Sequence, residues 1–79
     1  MAVMHERIEV NPRVMVGKPV IRGTRVPVEL ILRRLGEGDS IEDLLEGYPN
    51  LRREDILAAI AYAADVIAHE DLLIGSQSD

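Results

Sequence analysis

Pro19, Gly23 and Pro27 recur at four-residue intervals near the front of this chain, and nothing like that punctuation returns later. A proline inside a helix removes a backbone donor and clashes with the preceding turn. Residues 7–26 therefore fold as short extended pieces joined by turns. Arg7-Ile8-Glu9-Val10 alternates polar and apolar as a half-covered strand does. Asn11-Pro12 signals a turn, Val14-Met15-Val16 is a short apolar run, and Val20-Ile21-Arg22 leads into Gly23-Thr24 and Arg25-Val26. Strands of about four residues are not stable alone in water. They must pack on the rest of the chain or pair with a second copy, for which an exposed strand bearing alternate arginines is an expected edge. Gly17 and Gly23 are the positions where a positive φ is expected.

From Pro27 onward the period changes. Proline suits the first turn of a helix, and Val28, Ile31, Leu32 and Leu35 follow at three- and four-residue steps, marking a buried helical face. Arg33 and Arg34 stand near its end, where cations complement the helix dipole, and Gly36-Glu37-Gly38 closes it. Ser40 with Asp43 three residues on is a capping box with aspartate for glutamate, and opens a short helix whose stripe is Ile41, Leu44 and Leu45. Gly47-Tyr48-Pro49-Asn50 breaks the chain again. A third helix is expected from near Arg52 to about Glu70, with Leu51 folded back on the core and Glu54 and Asp55 in its first turn. Its expected buried stripe is Ile56, Ile60, Ala63 and Ile67, widened by Ala59 and Ala64. Residues 1–26 read as an N-terminal β-ribbon, 27–70 as a trihelical core and 71–79 as a flexible tail, all one domain.

The chain has 79 residues, no cysteine, phenylalanine or tryptophan, and two tyrosines, Tyr48 and Tyr62. A domain of this size buries only about 60% of the surface its unfolded chain exposes, and no disulfide staples it. Thin cores of this kind are commonly completed by association, so a homodimer or a tight partner is expected. No apolar stretch approaches the roughly 20 residues that span a bilayer, and no signal peptide is visible. A cytoplasmic protein without a membrane anchor is expected.

Charge is divided. Through Arg34 seven basic residues face three acids, a net of +4; from Leu35 two basics face eleven acids, a net of −9, giving −5 for the whole chain. Such a division points to two faces with two different partners. Three helices with connectors of about four and five residues have the proportions of a helix-turn-helix, in which the third helix enters the major groove by its N-terminal residues. Arg52 and Arg53 would then meet DNA, since arginine suits bidentate contact with guanine or phosphate, and Lys18, Arg22 and Arg25 would touch the backbone. The same residues would serve equally as a solvated surface, and a dimeric protein-interaction module that never touches DNA is the alternative.

Catalysis finds little in these residues. Hydrolytic sites need a nucleophile beside a base or paired carboxylates in a cleft. His5 falls in what reads as a mobile terminus and His69 near the end of the last helix, neither with a cysteine or metal-ligand spacing about it. Glu42 and Glu46 read as a solvated acidic face, and Gly17-Lys18-Pro19 lacks the spacing of a phosphate loop. No cofactor, no metal and no enzymatic activity are expected.

The run Gly17-Lys18-Pro19-Val20-Ile21-Arg22-Gly23-Thr24-Arg25-Val26-Pro27 stands without a gap. With Arg7-Ile8, Asn11-Pro12, Ser40-Ile41-Glu42-Asp43-Leu44-Leu45, Tyr48-Pro49, Glu54-Asp55-Ile56 and Tyr62-Ala63 it strongly resembles the bacterial and archaeal family known as domain of unknown function 433 (DUF433), from about Arg7 to Ala64. The resemblance implies a homeodomain-like or winged-helix-like helix-turn-helix fold with an N-terminal β-element. It also implies an antitoxin of a type II toxin–antitoxin pair, which represses its own operator DNA and neutralises a PIN-like ribonuclease toxin. On that reading Val66, Ile67, Leu72, Leu73 and Ile74 are the expected apolar anchors for the partner.

Overall fold

The computed structural model describes residues 5–11, 13 and 17–74, the last five by backbone alone. Two short strands precede three helices: β1 (Ile8–Val10), β2 (Pro19–Ile21), α1 (Val28–Gly36), α2 (Ile41–Gly47) and α3 (Arg53–Ile74). The chain is thus a mainly helical fold with one small two-stranded antiparallel sheet. The run Val14-Met15-Val16 and residues 75–79 lie outside the described residues.

The strands pair in the register Ile8↔Ile21, Glu9↔Val20 and Val10↔Pro19. That register puts Ile8 and Ile21 side by side against the helices, and both are buried. The outer edge of β2 is covered by the chain's own return: Val20 bridges to Pro27, and the Ile21 amide donates to the Val26 carbonyl at 2.9 Å. Between them lies a turn in which the Thr24 amide (3.0 Å) and hydroxyl (2.7 Å) both donate to the Ile21 carbonyl. Gly23 takes φ 81° in that turn and Gly17 the same value before β2, as expected of both.

Pro27 stands one position outside α1, at its N-cap, in extended backbone with φ −70°. Its missing N–H costs nothing there, while its fixed φ suits the last residue before the first turn. The Ser40 capping box forms in full: the Asp43 amide donates to Ser40 Oγ at 3.0 Å and the Ser40 amide donates to Asp43 Oδ2 at 2.9 Å. Every element supplies the core. Ile8, Ile21, Val28, Ile31, Leu44, Leu51, Ile56 and Ala59 form one buried cluster, with Leu32, Leu35, Ile41, Leu45 and Tyr48 partly covered at its margin. At about 1.5–3 kcal/mol for each large apolar side chain removed from water, this cluster holds the two-stranded sheet that could not stand alone.

The third helix departs from the expected pattern. Ile56 and Ala59 are buried as read, but Ile60 and Ile67 face outward, 42% and 62% exposed, and Ala64 is exposed with them. Asp55 is buried in their place. The helix is apolar on both faces, so its periodicity did not identify the side that the rest of the chain covers. It also continues to Ile74, beyond the expected end near Glu70, because no breaker stands before Gly75.

Candidate binding surfaces

Lys18 immediately precedes β2, Arg22 and Arg25 lie in the turn that follows it, and Arg52 and Arg53 stand at the start of α3. The two sets differ in what already holds them. Arg22 points back over the hairpin, where Nε donates to the Glu6 carbonyl at 2.6 Å and Nη2 to the Ile8 carbonyl at 3.4 Å. Its guanidinium closes the open end of the ribbon. Lys18 pairs with Glu29 at 3.2 Å and Arg53 with Glu42 at 2.8 Å, all four side chains exposed. Exposed pairs of this sort are worth about 0–1 kcal/mol and exchange readily for another anion. Arg25 and Arg52 are exposed and make no ion pair with the described residues.

The start of α3 is built on Asp55. Its Oδ2 accepts the Arg52 amide at 2.9 Å, satisfying one of the donors a helix leaves open at its first turn, and its Oδ1 accepts Arg7 Nη1 at 2.8 Å. Among the described residues Asp55 is the one buried charged side chain. The sequence placed it correctly in the first turn but held no sign of Arg7, which lies 48 residues away. His5 is a second surprise. It is no loose terminus: Nε2 lies 2.8 Å from Asp65 Oδ2, and the ring meets Tyr62 edge-on with centroids 5.4 Å apart. The N-terminal segment thereby runs along α3, with a surface hollow of about 440 Å³ between them, lined by His5, Glu6, Arg7, Glu54, Leu57 and Ala58.

Around α2 the charges are tuned by short contacts. Asp43 is held below the ordinary aspartate range by the Ser40 amide and then its hydroxyl. Glu42 is lowered by its own backbone N–H and then by Arg53, and Arg34 is raised by its contact with Asp39 at 2.6 Å. These groups are capping and surface chemistry. Among the described residues no cluster of three or more histidine, aspartate or glutamate side chains could hold a metal ion, and no helix is long and apolar enough to cross a membrane.

The remaining feature is the far end of α3. Asp55, Ile56 and Ala59 lie on the core side, and Val66 continues that side of the helix, yet Val66 is 44% exposed. The helix has outrun the core by this point. Val66 and Ile67, both expected partner anchors, are exposed apolar side chains on this projecting stem. Leu72, Leu73 and Ile74 belong to the same helix, their side chains outside the described residues.

One solved structure and two other sequences are similar to this chain. A crystal structure of a DUF433 member protein from Anabaena variabilis matches with a TM-score of 0.74 at 33% identity, over 89% of this chain and 69% of that one. An uncharacterised protein of Sinorhizobium fredii is 40% identical over 63 residues, 80% of this chain but 28% of its own length. This chain therefore spans little more than a quarter of that relative. An uncharacterised protein of Archaeoglobus fulgidus is 61% identical over 28 residues, 35% of this chain and 78% of that protein. The family described as a protein of unknown function, DUF433, matches residues 8–63, from β1 into the middle of α3. The chain belongs to the DUF433 family.

Proposed function

We propose that this chain is a non-enzymatic binding protein of antitoxin type, which neutralises a PIN-like ribonuclease in the cytoplasm by offering it the projecting end of α3. The observation that carries this reading is that α3 outruns the core, leaving Val66 and Ile67 exposed on a helix that continues to Ile74. An amphipathic helix laid in an apolar groove is a common mode of peptide recognition, read through anchors at three- and four-residue steps. The acidic C-terminal half also suits the electropositive cleft a ribonuclease presents to RNA. Val66→Asp is the test. It should abolish inhibition of a PIN-like ribonuclease encoded beside the gene while leaving the circular dichroism spectrum unchanged. A folded variant that still inhibits removes the stem from the interface.

Operator binding is the second half of the proposal, with α1, α2 and α3 as a homeodomain-like or winged-helix-like helix-turn-helix preceded by the β-ribbon. One observation favours the alternative, a protein-interaction module without DNA: Arg22 is held by two backbone carbonyls, and Lys18 and Arg53 would each exchange a carboxylate for a phosphate, which leaves Arg25 and Arg52 as the cations of the five without an ion pair among the described residues. Salt separates the two. Each neutralised phosphate contributes about −0.9 to the slope of log K against log salt. Contact by Arg25 and Arg52 alone gives a slope of roughly −2 per protomer, and by all five cations roughly −4 to −5. No binding to upstream DNA at low salt, by the free chain or its complex, removes DNA from the function.

A further inference from the structure

We infer that the outward face of α3 is the contact between two copies of this chain, packed antiparallel about position 62. The face consists of Leu57, Ile60, Ala64 and Ile67, with Leu57 half exposed and Ile60 and Ile67 exposed as given above. It flanks the core side of the same helix, about a third of a turn round from it, and a helix apolar beyond its core side is covered there too in a folded protein. The steps of three, four and three residues are those of a seam between two helices.

The spacing selects a second copy as the occupant. Leu57 and Ile67 are equidistant from position 62, and so are Ile60 and Ala64. In an antiparallel pair related by a two-fold axis, each large side chain of one helix therefore meets the partner position that completes it: leucine with isoleucine, isoleucine with alanine. That is the self-complementarity an isologous contact requires, residue i meeting j and j meeting i. Ala61 and Ala64 beside the axis let the backbones approach closely. Charge follows the same register. Position 53, an arginine, falls opposite position 71, an aspartate, and each positive helix N-terminus lies beside the partner's negative C-terminus. The ribbon, the expected dimer edge, is a poorer choice, because Pro27 and Val26 already cover the outer edge of β2. The inference does not rest on DNA or on the ribonuclease; it takes Ile67 for the pair of chains and leaves Val66, on the core side of the helix, for the ribonuclease.

The chain contains no cysteine, so introduced thiols report this contact without background. Ile60→Cys and Ala64→Cys are prepared separately and then mixed under mild oxidation. The mixture should give a covalent dimer joining one variant to the other, and each variant alone far less. Sedimentation equilibrium of the parent chain should show a dimer, and Ile60→Glu should weaken it by about a hundredfold or more by burying a carboxylate against the partner's Ala64. A parent chain that is monomeric at about 100 µM overturns the inference. So does a dimer that survives in folded Ile60→Glu, or a mixture that cross-links no better than its components. Should Ile60→Glu fail to fold, the two cysteine variants decide the question. A ribonuclease that bound Leu57 and Ile60 instead would leave the free chain monomeric, which is the first overturning result.

Discussion

Replacing Asp55 by alanine removes two interactions that lie far apart in sequence and meet on one carboxylate. The first is the cap on the Arg52 amide, and losses of this kind cost about 1 kcal/mol. The second is the charge-assisted bond from Arg7. Hydrogen bonds to charged groups contribute about 1.5–3 kcal/mol, and severing a fully buried pair costs about 3–5 kcal/mol because a bare charge is left behind. Here Asp55 is 8% exposed but Arg7 is 43% exposed, so the stranded guanidinium recovers much of its hydration. The second loss is therefore nearer to 1 kcal/mol, and the total near 2 kcal/mol. For a domain of this length that lowers Tm by about 8–16 °C. Urea unfolding followed by circular dichroism at one fixed protein concentration measures the loss, since association would otherwise shift the midpoint. Asp55→Asn keeps an acceptor for the Arg52 amide and should lose about half as much. A double-mutant cycle with Arg7→Ala should return a coupling of about 1 kcal/mol. An Asp55→Ala loss below about 0.5 kcal/mol, or no coupling to Arg7, would refute the claim that this carboxylate locks the N-terminal segment to the start of α3.

The other stability predictions concern the turn of the ribbon and the start of α2. A Cβ on Gly23 would meet no atom within 4 Å, so the cost of Gly23→Ala is that of its φ of 81° alone, about 1–2 kcal/mol. Gly23→Asn should cost less, because asparagine tolerates the left-handed region; equal losses in urea titration would mean that the turn relaxes. Asp43 and Glu42 both have depressed pKa values in the folded chain. Their contribution to stability is therefore complete above the ordinary carboxylate pKa of about 4, and is lost as pH falls through their lowered values. Asp43→Asn should accordingly be less stable than the parent at neutral pH, with the difference shrinking below about pH 4. A difference that stays constant from pH 7 to pH 3 would show that Asp43 acts only as a neutral cap.

Much of this fold is written in local residue chemistry. The switch from extended ribbon to helices at Pro27 depends on which backbones proline and glycine permit, and that is settled within a few residues. The Ser40–Asp43 box, the stop after Leu35 and the break at Gly47-Tyr48-Pro49 are equally short-range, and each stands where the residues placed it. The family signature from Gly17 to Pro27 is continuous in the chain, so membership too is legible in the residues alone. What the sequence could not contain is which partner a residue meets across long separations. Arg7 reaching Asp55, and His5 reaching Asp65, join residues 48 and 60 positions apart. No periodicity encodes such a pairing, because it depends on how the ribbon lies across α3. The same limit explains Ile60 and Ile67. A helix apolar on two sides offers two equivalent faces to a core, and only the packed position of β1, α1 and α2 decides which one they cover. That decision leaves the other face, and the stem beyond Ala64, to whatever this protein binds.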